Sequence, residues 1–160
     1  MKIVNEYLIN KGTMLIEPTF DEFGQLHSFV TEEYTSYLVK KSPLTVVDDS
    51  CFYYGSSFHG RLDASEKITG DLSKIPICIS EANRIFFFPL ESPHNNWCHW
   101  VSHYHVSKIR ALGPKLSTIY FNNEISIDVP YERGGVDCKL AQTAQFRYIM
   151  LRRWEMTHKS

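Results

Sequence analysis

From Tyr7 to Val129 the apolar residues of this chain come in runs of strand length, most of them closed by Gly, Pro or Asn. Only beyond Gly134-Gly135 does a helical period take over. That order predicts an α+β fold: a mostly antiparallel β-sheet with one C-terminal amphipathic helix. The clearest run is Ile125–Val129, where Ile125, Ile127 and Val129 alternate with polar residues and Asn122-Asn123 leads back to Ser117–Phe121 as a hairpin. Asn10-Lys11-Gly12 predicts another hairpin, between Tyr7–Ile9 and Thr13–Glu17. Leu26–Val30, Tyr34–Val39, Leu44–Val47, Ile75–Ile79 and Ile85–Phe88 read as strands, with Pro43 and Pro76 suiting strand starts or sheet edges. Trp100–Leu112 and Lys115–Phe121 are parted by the turn signal Gly113-Pro114, and Gly55–Lys67 and Glu91–Asn96 have loop composition.

A length of 160 residues suits a single domain, with a β-rich part over about 1–133 and a helix over about 137–157 capped by Asp137. On that helix Leu140, Ala144, Tyr148 and Leu151 share the face expected to pack on the sheet, with Trp154 at its margin. Lys139, Gln142, Gln145, Arg152 and Arg153 share the other. Phe146 and Ile149 sit among those polar residues, are expected to be exposed in a monomer, and are the candidate oligomer contact.

Hydrophobic residues make up 43% of the chain and aromatics 14%, enough to bury a core and to exclude disorder as the main state. No apolar run approaches the about 18 residues of a membrane helix. The opening Met1–Glu6 meets an acid before any apolar stretch, unlike a signal peptide, so a cytoplasmic location without a membrane partner is expected.

Cys51, Cys78, Cys98 and Cys138 lie in separate segments with no CxxC pair, and in a reducing compartment they read as small buried apolar residues. Cys98, His99, His103 and His105 form the densest group of ligand-type side chains. His99, His103 and His105 share one strand parity, so a metal pocket or a thiol enzyme centred there is the alternative function. Three ligands on one face fall short of a closed zinc site, and ordinary hydrogen-bonded histidines are favoured; no metal and no cofactor is expected. Cys51 has no base with an orienting partner, and its surroundings, Val46-Val47 and Phe52-Tyr53-Tyr54, read as core. Gly55–Arg61 combines glycines, Ser56, Ser57 and Arg61, a composition that presents N–H groups and a guanidinium to phosphate. It lacks the Gly-Lys-Ser/Thr ending of a nucleotide-binding loop, which excludes NTP binding of that type.

Four blocks carry a resemblance. They are Val46–Arg61 (Val-Val-Asp-Asp-Ser-Cys-Phe-Tyr-Tyr-Gly-Ser-Ser-Phe-His-Gly-Arg), Lys74-Ile75-Pro76-Ile77, Asn83–Pro89 (Asn-Arg-Ile-Phe-Phe-Phe-Pro), and Trp100–Val106 (Trp-Val-Ser-His-Tyr-His-Val). In this order and spacing, from about Thr45 to Val106 and more loosely to the terminal helix, the chain resembles the ComK family, the competence transcription factors of Gram-positive bacteria.

The resemblance implies a non-enzymatic, cytoplasmic and nucleoid-associated activator of DNA-uptake genes. Its members recognise paired A·T-rich promoter boxes, largely through the minor groove, as homo-oligomers (a dimer or tetramer on DNA), with RNA polymerase as a further partner. Narrow A·T-rich minor grooves attract inserted Arg and Lys. Arg61, with Ser56 and Ser57 as phosphate contacts, is therefore the first DNA-binding candidate, followed by Lys40, Lys41, Arg147, Arg152 and Arg153. Relatives often carry a basic residue where Asp49 stands, and longer members continue into a tail used in adaptor-guided proteolysis, so no adaptor site is carried over. A degenerate paralogue that oligomerises with a full-length relative is a further reading.

The net charge of −1 masks an asymmetry. Met1–Asp49 carries four basic and eight acidic residues, whereas Cys138–Ser160 carries five basic and one acidic. Such a split permits a local DNA-facing patch and predicts salt-sensitive binding that needs several subunits.

Overall fold

The computed structural model describes residues 1–70 and 75–158. The elements run β1 (Lys2–Val4), β2 (Thr13–Phe20), β3 (Leu26–Glu32), β4 (Ser36–Val39), α1 (Pro43–Tyr53), α2 (Phe58–Thr69), β5 (Ile77–Ser80) and β6 (Ile85–Pro89). They continue through β7 (Trp100–Ser102), a 3-10 turn at His103–His105, β8 (Val106–Gly113), β9 (Leu116–Phe121), β10 (Ser126–Val129) and α3 (Arg133–His158). The fold is α+β, as the sequence predicts. Seven strands form one sheet in the order β1-β4-β3-β2-β7-β6-β5, antiparallel throughout except for the β1–β4 pair; β10-β9-β8 form a second, antiparallel sheet.

Strands β5, β6 and β7 and the first half of β2 are buried on both faces of the larger sheet, which explains why they read as continuous apolar runs. Ile16, Ile77, Ile79, Phe87 and Trp100 face α1 and α2, packing against Val46, Val47, Cys51 and Phe58. Their neighbours Leu15, Phe88 and Val101 point the other way, onto Ile109, Ile119, Phe121 and Val129 of the second sheet and Val136 of α3. At the β5–β6 end the same face meets α3, where Cys78 and Phe86 pack on Phe146 with Met150 and Trp154.

Two expected non-helical segments are helices. Leu44–Val47 is not a strand but the first turn of α1: the Ser42 hydroxyl accepts from the Thr45 N–H at 3.2 Å, and Pro43 occupies the first helical position, where a missing N–H costs nothing. Gly55–Lys67 is not a loop, since most of it is α2, capped by Ser57 on the Gly60 N–H at 2.9 Å and ended by Gly70 at φ 70°. Asp48 of α1 accepts from the first N–H of α2, at Phe58, over 2.9 Å, and this ties the two helices together. Phe52 and Tyr53 are exposed on α1 rather than in the core.

Tyr7–Ile9 forms no hairpin with β2. The Ile9 N–H donates to Ser50 Oγ at 2.9 Å and the Ile9 carbonyl accepts from Tyr54 Oη at 2.7 Å, so side chains of α1 and of its C-terminal cap satisfy the backbone that a hairpin partner would have. The hairpin of β9 and β10 is present, pairing Ile127 with Ile119.

Helix α3 begins at Arg133, with Gly134-Gly135 in its first turn and Asp137 inside it, paired to Arg133 at 3.2 Å; Asp137 is not the cap. Its orientation departs from expectation in part: Leu140 and Trp154 pack on the core as expected, but other positions do not. Val136, Thr143 and Phe146 are buried and Ala144 is exposed, while Tyr148 is 57% exposed.

Candidate nucleic-acid interface

Arg61 lies in the first turns of α2, not in a glycine loop. Its side chain is 14% exposed, with Nη1 3.3 Å from Glu81 and Nη2 at 3.5 Å from the Tyr54 carbonyl. Ser57 spends its hydroxyl on the helix cap, and Ser56 Oγ crowds Gly60, where a Cβ would stand 2.8 Å from it. Arg61, Ser56 and Ser57 are thus neighbours engaged with their own helix and with Glu81.

The adjacent lysines differ from each other. Lys41 is 2.8 Å from Asp49 and 3.6 Å from Glu6, and the Asp49 carboxylate raises the pKa of its amine. Asp49 therefore partly neutralises the one lysine of the pair that the fold holds in place, whereas Lys40 is exposed.

On α3, Arg152 and Arg153 are exposed, and the Arg152 guanidinium lies 6.0 Å from the Tyr148 ring centroid. Arg147 lies 5.8 Å from the centre of the Phe86 ring. Phe146, expected at the surface, is 2% exposed and meets Phe86 edge-on at 5.8 Å between centroids. Ile149 is half-buried and lines a groove of about 200 Å³ with Ile68, Pro76 and Phe146.

The histidines do not converge. His99 Nδ1 is within 3.1 Å of the Trp97 carbonyl and 3.2 Å of Tyr131 Oη; burial lowers its pKa. His105 Nε2 bonds the Lys11 carbonyl at 2.6 Å. His103, on the 3-10 turn rather than on a strand with His105, has its pKa lowered by burial and by the nearby Arg147 charge. Cys98 Sγ is 3.5 Å from the Glu91 carbonyl, and burial pushes its thiol, like those of Cys51 and Cys78, up to about 12. Such thiols stay protonated at neutral pH and make poor nucleophiles or ligands. Among the described residues no group of three or more His, Cys, Asp or Glu side chains is placed to hold a metal.

Sequence reasoning named Arg147 but missed the basic concavity it lines. An open cleft of about 410 Å³ gathers Lys11, Arg84 and Arg147 around a single carboxylate, Glu33, with Asn10, Asn83 and Tyr104 at its walls. Arg84 stands at φ 57° in the turn between β5 and β6, its guanidinium 4.5 Å from the Trp154 ring centroid and bonded to the Glu81 carbonyl. Asn83-Arg84 opens one of the resemblance blocks; nothing local in it signals that the turn folds against α3.

The molecule is thus a layered α+β protein in which Lys11, Arg84 and Arg147 line one cleft where α3 meets the β5–β6 end of the main sheet. The sequence profile of the ComK protein family matches residues 4–155, and the chain belongs to that family. It is 29% identical over 144 residues to the "Competence transcription factor" of Bacillus subtilis (strain 168), covering 90% of this chain and 74% of that relative. No solved structure matches it.

Proposed function

We propose that this chain is a transcriptional regulator of competence genes that binds A·T-rich promoter DNA, largely through the minor groove, as a homo-oligomer. The family match over residues 4–155 carries this reading. The cations favour it in detail. Lys40, Arg152 and Arg153 are exposed, and with Arg147 they are the candidates best placed for DNA; Lys41 and Arg61 already hold carboxylates. Narrow A·T-rich minor grooves concentrate negative potential, so exposed arginines suffice for a preference without a full base code. One copy carries a net charge of −1 and is basic only locally, as over Cys138–Ser160, so tight binding requires several copies. Self-association, RNA polymerase contact and a nucleoid location belong to the same proposal, as does the single-domain reading of residues 1–160.

Competition on an A·T-box duplex tests the groove. A small minor-groove ligand displaces the protein if the reading holds, whereas displacement only by major-groove modification contradicts it.

A further inference from the structure

Three segments distant in sequence meet at the basic cleft: the Asn10-Lys11 turn before β2, the Asn83-Arg84 turn between β5 and β6, and Arg147 on α3. Two features make the cleft a built site rather than a chance patch. First, both guanidinium groups lie over aromatic rings, Arg84 over Trp154 and Arg147 over Phe86, and Trp154 packs against the buried cluster of Phe86 and Phe146. These cation–ring contacts, at 4.5 Å for Arg84 and 5.8 Å for Arg147, restrict the charged heads before any ligand arrives, so less entropy is lost on binding. Second, the positive charge is not cancelled within the fold. None of Lys11, Arg84 and Arg147 is in an ion pair among the described residues, and Glu33 is the one carboxylate on the wall. The field reaches the neighbouring His103, whose pKa the Arg147 charge helps to depress.

Shape decides what such a cleft takes. A minor groove must be entered by something that protrudes, whereas a concave site receives a group that protrudes from the nucleic acid, and on a duplex that group is the phosphate. We propose that the Lys11–Arg84–Arg147 cleft seats a phosphate of the DNA backbone. This rests on the DNA-binding reading and adds to it the positioning contact that sets the duplex against α3. Guanidinium and ammonium groups around one pocket suit a phosphodiester, and the exposed Tyr104 also lines it.

The test is anisotropy of labelled A·T-box and G·C-rich duplexes across a potassium chloride series, with the 160-residue wild type, Lys11→Ala and Arg147→Gln. Lys11 is exposed and only its backbone carbonyl holds the fold, through His105, so Lys11→Ala leaves the fold intact. The expected result is roughly tenfold weaker binding for each variant, as for one charged hydrogen bond. The loss is equal on both duplexes, and the slope of log K against log salt becomes shallower by about 0.9. Wild-type affinity and slope in both variants overturn the proposal, and so does a loss confined to the A·T duplex, which marks a base contact. Calorimetry with adenosine monophosphate separates the other source of phosphate: nucleotide binding that Arg147→Gln abolishes, with DNA binding unchanged, overturns the backbone assignment. Wild type that binds neither duplex removes the DNA reading itself and is told apart by that control.

Discussion

The Arg61 guanidinium lies 3.3 Å from the Glu81 carboxylate, linking α2 to the turn that follows β5. Its Nε is buried without a partner and its stem lies within the fold, so Arg61 acts first as a strut between helix and sheet. Arg61→Ala is expected to cost about 1–3 kcal/mol in stability, from the orphaned carbonyl and lost packing. The ion pair itself contributes little because Glu81 is half in water. Denaturant unfolding checks the cost. Well below its melting point the variant should bind DNA within about threefold of wild type, a difference of under 1 kcal/mol.

Phe146 and Ile149, expected together on a partner surface, separate cleanly by mutation. Phe146→Ala should cost about 3–5 kcal/mol, since its ring fills the space beside Phe86 and Cys78. Ile149→Ser should change monomer stability little and, if α3 self-associates through this groove, should weaken concentration-dependent assembly in sedimentation.

The ends of α2 give a third expectation. Ser57→Ala removes the cap and should cost about 1 kcal/mol. Gly60→Ala brings a methyl to 2.8 Å from Ser56 Oγ, and relieving that contact by Ser56→Gly should raise the thermal midpoint of the Gly60→Ala variant.

Acid should destabilise the fold through His99. Its folded pKa lies below the unfolded value of 6.5 because burial disfavours the charged ring. The unfolded chain therefore takes up the proton first, so stability is complete above 6.5 and falls as pH drops through that value toward the folded pKa. Glu17, whose carboxyl is raised by burial, acts in the opposite sense nearer its own titration. Urea midpoints between pH 8 and 5.5 should fall in wild type, and a His99→Gln variant should show a shallower fall.

The alternation of Ile125, Ile127 and Val129 and the turn that precedes it were legible because a hairpin is a local object. The first two helices were not. Val46 and Val47 are β-branched, and the Ser42-Pro43 start that caps α1 resembles a strand boundary. Helix α2, with Gly60 and two serines at its entry, draws its stability from burying Phe58 and packing Leu62 rather than from propensity. Tyr7–Ile9 had strand composition, but Ser50 and Tyr54 took its hydrogen bonds. The packing face of α3 matches its helical period only at Leu140 and Trp154, because two surfaces, the second sheet and the β5–β6 end, share one helix and bury Val136 and Phe146 as well. The basic cleft had no local pattern at all: Lys11, Arg84 and Arg147 meet only through the strand order. The four resemblance blocks, by contrast, pointed to the family that the match over residues 4–155 establishes.

The central claim is a preference for A·T-rich DNA, and a mobility-shift assay on an A·T-box duplex and a G·C-rich duplex of equal length measures it directly. Repeated across a salt series, it should show tighter binding to the A·T duplex at every salt and a steep, cooperative approach to saturation. Equal affinity for the two duplexes, or no complex with either at low salt, would contradict the account.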